Sequence, residues 1–131
     1  MAKKIWLGIL AMGLIFIFLT ACGGSGSRIN ENNLVGVWEL ESAENITPFP
    51  KFEQFGDRTG IMYRSVSATT GIEFTWQLRD GYRLHVDSGG PGVPAQINDI
   101  ELSERGTLLT FFYDGRNNTG ENARIARYRK K

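Results

Sequence analysis

Between residues 72 and 87 the chain alternates with a period of two. Ile72, Phe74, Trp76 and Leu78 face one way, and Glu73, Thr75, Gln77 and Arg79 the other. After Asp80-Gly81 the pattern resumes, with Tyr82, Leu84 and Val86 set against Arg83, His85 and Asp87. Successive side chains of a strand point to opposite faces, so each run reads as a strand buried on one side. Asp-Gly is a preferred dipeptide for a two-residue hairpin, because both positions take positive φ. No stretch from Leu34 onward has a helical period, so the fold must be built from strands.

Six further strands are predicted on the same grounds. The first covers about Leu34 to Glu44, with Trp38, Leu40 and Ser42 inward and Val37, Glu39 and Glu41 outward. The second is Lys51 to Phe55 and the third about Thr59 to Ser67; strands six to eight are about Pro94 to Ser103, Thr107 to Tyr113 and Glu121 to Arg129. Ile97 and Ile100 share a face only if an extra residue lies between them, which predicts a bulge near Asn98-Asp99.

The links between strands carry a second pattern. Asn45 to Pro50, Ala68 to Gly71, Ser88 to Val93 and Asp114 to Gly120 are long; Gly56-Asp57-Arg58, Asp80-Gly81 and Glu104-Arg105-Gly106 are short. Long and short alternate without exception. Eight sequential strands with one loopy end and one tight end predict an up-and-down antiparallel barrel, in which closure removes the exposed edges.

Ahead of this body, Lys3 and Lys4 precede an uncharged run from Ile5 to Leu19, then small residues and Cys22. A basic start, a short apolar core and a small-residue exit make a secretory signal helix. Fifteen helical residues span about 22 Å, short of the roughly 30 Å hydrocarbon core of a bilayer. Leu19-Thr20-Ala21-Cys22 resembles the bacterial lipoprotein box. That resemblance implies cleavage before Cys22, diacylglycerol on its thiol and, in many bacteria, a further chain such as palmitate on the new amine. The mature chain would then be anchored to the cell membrane or the outer membrane on the extracytoplasmic side.

The organisation that follows is a signal peptide over 1–21, a lipidated Cys22 with a flexible Gly-Ser linker over 22–33, and a barrel domain over 34–131. Cys22 is the sole cysteine, which excludes a disulfide framework and a thiolate metal site. Without Lys3 and Lys4, 13 basic groups meet 14 acidic ones, and nothing in that balance points to nucleic acid.

Leu34-Val35-Gly36-Val37-Trp38-Glu39-Leu40 resembles the Gly-x-Trp start of the first lipocalin strand. The spacing through Phe55-Gly56-Asp57, Phe74-Thr75-Trp76 and Ile100-Glu101-Leu102-Ser103 is similar to that of small bacterial lipocalin-like domains. The resemblance implies that a C-terminal arginine, Arg127 or Arg129, packs over Trp38. It also implies a ligand cup. The chain is tens of residues shorter than a typical lipocalin and lacks its C-terminal helix, which argues against a large one.

The chemistry-bearing residues suggest no enzyme and no cofactor. His85 falls on the outward face, and no motif supplies a nucleophile and an orienting carboxylate for it. The aspartates at 57, 80, 87, 99 and 114 sit in or beside turns, without the ligand spacing of a calcium loop. Ser88-Gly89-Gly90-Pro91-Gly92 opens no helix and lacks the following Lys-Ser/Thr of a phosphate loop. The inward aromatics remain. Trp38, Phe74, Trp76 and Tyr82, with Phe111 or Phe112, either fill the barrel or line a cup, and an eight-stranded barrel is wide enough for either. Phe49, between Pro48 and Pro50, would stand at the mouth. Trp38, Phe49, Phe74 and Trp76 are therefore the candidate ligand-binding residues.

Arg124, Arg127, Arg129, Lys130 and Lys131 hold five of the 13 remaining basic groups. Strand eight should end beside the start of strand one, where the lipid tether joins, which would turn this tail toward an anionic membrane. The expected function is binding of a small apolar molecule by an anchored lipocalin-like domain. The alternative is a non-enzymatic module that meets an envelope protein, as an assembly factor or inhibitor, through the long loops.

Overall fold

The computed structural model describes residues 28–131; the signal segment, Cys22 and most of the expected linker lie outside the described residues. Eight strands follow one another round a closed ring: β1 (Gly36–Glu44), β2 (Lys51–Gln54), β3 (Thr59–Tyr63), β4 (Ile72–Arg79), β5 (Arg83–Asp87), β6 (Gln96–Ser103), β7 (Leu108–Phe112) and β8 (Ile125–Lys130). Every pairing is antiparallel, and β1 pairs with β8 to close the ring. The alternation of β4 survives intact: Phe74 and Trp76 are buried while Glu73, Thr75 and Gln77 are exposed.

The Asp80-Gly81 turn differs from expectation by one residue. Asp80 and Gly81 do take positive φ, 57° and 76°, and the Tyr82 N–H donates to the Arg79 carbonyl at 3.2 Å. Yet the ladder sets Arg79 opposite Arg83 and Leu78 opposite Leu84, so Tyr82 belongs to the loop. Facing residues share a side of the sheet, and a two-residue loop would have matched outward Arg79 with inward Tyr82. The face pattern overrides the turn preference.

The predicted bulge near Asn98-Asp99 is absent. Pairing runs in unbroken register along β6 on both sides. Ile97 points outward and is 55 % exposed, while Asn98 takes the buried position beside Ile100. The expectation failed because it required both isoleucines to be inside. A bulge occurs instead in β1, where the register against β8 shifts between Leu40 and Ser42. Glu41 is the extra residue, and the shift turns Ser42 out to solvent rather than inward with Trp38 and Leu40.

The tight end is plugged. Residues 28–34, expected as linker through Asn33, fold onto the barrel: Glu31–Leu34 is a 3₁₀ turn, capped by the Asn30 side chain accepting from the Asn32 N–H. Leu34 is fully buried, Ile29 packs against the core, and the Ile29 N–H donates to the Gly81 carbonyl at 2.8 Å. Glu31 pairs with Arg58 of the β2–β3 turn at 2.7 Å. The Trp38 indole N–H donates to the Leu34 carbonyl at 3.0 Å, fixing the fully buried ring beneath the plug.

Lys130, not Arg127 or Arg129, lies over Trp38, its Nζ 5.3 Å from the ring and donating to the Asn33 carbonyl at 3.1 Å. In β8, Ala126 and Tyr128 are buried, which sends Arg127 and Arg129 outward together. Gly36 makes room for the lysine. Its φ of 139° excludes most side chains, and a Cβ there would stand 2.9 Å from Lys130 Cε.

Four of the five basic side chains in the C-terminal stretch pair with acids. Arg124 pairs with Asp114, Arg127 with Glu44, Arg129 with both Glu41 and Glu104, and Lys131 with Glu39.

Candidate ligand cavity

At the end opposite the plug, the links over residues 45–50, 64–71, 88–95 and 113–124 surround a cavity of about 790 Å³. That volume lies in the range that takes a small molecule. Three rings set its inner wall: Phe52, Phe111 and Tyr128 meet edge to face, with centroids 4.8 to 5.9 Å apart. Tyr113 stacks on Phe111 at 6.0 Å. Phe74, Leu84 and Met62 continue the apolar surface, and Phe49 and Val93 stand at the mouth.

Of the four candidate binding residues, Phe49 and Phe74 lie on the cavity wall, while Trp38 and Trp76 do not. Trp38 sits under the plug. Trp76 donates its indole N–H to the Thr59 carbonyl at 3.0 Å, toward the tight end. Large inward aromatics thus split by height along the barrel: the tryptophans fill one end and the phenylalanines surround the space at the other. The choice between Phe111 and Phe112 resolves to Phe111, which is 6 % exposed. Phe52 and Tyr128 were missed, although Lys51-Phe52-Glu53-Gln54 alternates and Tyr128 stands between two arginines.

Polar groups enter the cavity at three levels. Gln54, 1 % exposed, lies deepest; Asn98, 9 % exposed, is on the wall of β6. At the mouth, Arg124 is held by Asp114, which accepts from its backbone N–H at 2.9 Å, Nε at 3.0 Å and Nη2 at 2.7 Å. These hydrogen bonds hold the Asp114 carboxyl below the ordinary aspartate value and the Arg124 guanidinium above its own. Tyr128 donates its hydroxyl to the Phe49 carbonyl at 2.8 Å and so ties the β1–β2 loop across the opening. Burial pushes the Tyr128 and Tyr113 phenols up, keeping both neutral. Asn45, at φ 59°, donates to the carbonyls of Glu121 and Ala123 at 3.0 and 2.9 Å, joining the first long loop to the last.

His85 lies on the outer face, opposite Gln77 on one side and Ile97 on the other. It borders a shallow depression with Asp57, Arg58 and Asp87. Among the described residues no group of three or more His, Cys, Asp or Glu is arranged to hold a metal ion. No protein-family model, curated protein or solved structure matches the chain.

Proposed function

We propose that this protein is an extracytoplasmic lipoprotein, anchored through acylated Cys22, whose lipocalin-like barrel binds a small apolar molecule in the cavity at its loopy end. The observation that carries the reading is the cavity of about 790 Å³ walled by Phe52, Phe74, Leu84 and Phe111. Closed barrels that serve only as scaffolds fill this space with side chains. The Gly36-x-Trp38 start of β1, with a basic side chain from β8 over the indole, supports the lipocalin likeness, lysine standing where arginine was expected. The plug at the N-terminal end agrees with a tether on that side, with the mouth directed away from the membrane.

Native mass spectrometry of the full chain, purified from its own host, tests the reading. A small molecule released on unfolding is the expected result, together with a mass that begins at Cys22 and includes acyl chains. An apo mass from several growth conditions, with no binding of apolar probes, would overturn the ligand assignment.

A second reading, docking of an envelope protein on the loops, is favoured by one observation. Val66, Val93 and Ile97, the large apolar residues most open to solvent among the described residues, are 50 to 55 % exposed and all lie toward the loopy end. Val66, unlike Val93 and Ile97, does not line the cavity, so Val66→Ser would weaken partner capture under this reading and leave ligand binding intact under the first.

A further inference from the structure

The deepest polar group in the cavity has nothing to bind. Gln54 is 1 % exposed, and its Oε1 has no hydrogen-bond partner among the described residues. Buried amide oxygens are nearly always paired, and an unpaired one costs stability that an apolar side chain would not. Its cross-strand partners are Gly36 on β1 and Gly60 on β3; Lys130 Cε and the Phe74 ring occupy the space above those glycines and neither donates to the amide oxygen, so a ligand reaches Oε1 as the Phe74 ring turns aside. Gln54 ends β2 next to the plug, so the amide marks the cavity floor.

Two more features define what would meet it. Asn98 stands on β6, four strands away in a ring of eight and hence on the opposite wall. The only Arg, Lys, Asp, Glu or His lining the cavity among the described residues is Arg124, at the mouth and already bound to Asp114. Below the mouth the cavity lining therefore offers two amides, Gln54 on the floor and Asn98 on the wall, and no charged side chain. A carboxylate or ammonium placed there would lose its water without gaining a counter-charge.

Resting on the ligand-binding reading above, we infer that the ligand is a neutral amphiphile whose hydrogen-bond-donating end, an alcohol or primary amide, enters first and donates to Gln54 Oε1. Its apolar chain runs between Phe52, Phe74 and Phe111 toward Phe49. From Gln54 to Phe49 is five residues, at most roughly 16 Å at strand rise, which leaves room for a decyl chain.

The test titrates the full chain, held in phosphatidylcholine nanodiscs, with 1-decanol, decanoate and decane by calorimetry, blank discs being subtracted. Decanol is expected to bind about ten-fold more tightly than either other probe, the worth of one good hydrogen bond. In Gln54→Leu and Gln54→Met this preference disappears while decane binds at least as well as before. Equal affinities for decanol and decane in the native chain, a decanoate preference, or a preference that survives both substitutions would overturn the inference and leave the apolar cup standing. Binding of none of the three probes would overturn the cup itself. Failure of both variants to fold also counts against the inference, since an amide that the fold requires is not spare for a ligand.

Discussion

The ring of Phe74 lies directly against the Cα of its cross-strand partner Gly60. A Cβ at position 60 would come within 2.7 Å of Phe74 Cε2 and 2.6 Å of the Glu53 carbonyl oxygen, so one of them must move. Gly60→Ala is expected to destabilise the barrel by about 1–3 kcal/mol, the usual cost of overpacking. Urea denaturation measures this. A substitution without effect would mean that Phe74 is free to swing into the cavity.

Lys130 joins the end of β8 to the plug through Trp38 and the Asn33 carbonyl. Lys130→Ala should cost about 1–2 kcal/mol, from one cation–π contact and one hydrogen bond. Lys130→Arg should recover part of it. Trp38 emission should shift to longer wavelength in the alanine variant as water reaches the ring. Arg129→Ala, which touches Glu41 and Glu104 on the outside, should leave that emission unchanged.

Acid should weaken the barrel through Asp114. Its carboxyl is held below the ordinary 3.8 first by the Arg124 side chain and then by the Arg124 backbone N–H. A carboxyl with a depressed folded value contributes stability that is present above 3.8 and lost as pH falls through that lower value. Asp57, held down by the Thr59 hydroxyl and N–H, acts in the same direction. Asp114→Asn should therefore lose less stability than the native chain between about pH 5 and pH 2. Urea midpoints at several pH values decide it, and parallel curves for the two proteins would refute the assignment.

Alkali should act through Tyr128. Burial raises its phenol above the ordinary 10, so the neutral form belongs to the folded state. That contribution is complete below pH 10 and declines as pH climbs beyond it toward the folded value. The Tyr128 phenolate signal should appear only with unfolding. Tyr128→Phe should flatten this alkaline decline and cost about 1 kcal/mol at neutral pH, from the lost bond to the Phe49 carbonyl. Loss of that tie should also raise hydrogen exchange in residues 45–50.

Much of the fold was legible because face alternation is local. Ile72 to Arg79 announces its inner side without help from distant residues, and eight such runs with alternating link lengths leave few arrangements other than a closed meander. What escaped was set by partners far along the chain. Glu41 bulges because β1 must fit both β2 and β8, and Ser42 gives no sign of the resulting change of side. Asn98 reads as a turn residue in isolation, and only the register, with Asn98 opposite Leu84 and Ile100 opposite Phe111, shows that β6 turns it inward. The cavity was harder still. Trp38, Trp76, Phe74 and Phe49 are alike as apolar rings, but their roles follow from height along the barrel, which depends on strand stagger. Gln54 carried no signal at all, since a glutamine ending a short strand ordinarily faces water.

The pairing of β1 with β8 has a consequence for how the molecule forms. Glu41 and Arg129, which meet across that seam, are 88 residues apart in the chain. Seven of the eight ladders are hairpins between successive strands; the eighth requires the whole sheet to curl until its ends touch. Such a closure bears the largest chain-entropy cost and is expected to limit the folding rate. Until it occurs, β1 and β8 each present an unpaired edge to whatever lies nearby. A chain caught at that stage can lend its β8 to a neighbour's open edge, so slow closure at high local concentration favours strand exchange between copies over a sealed monomer.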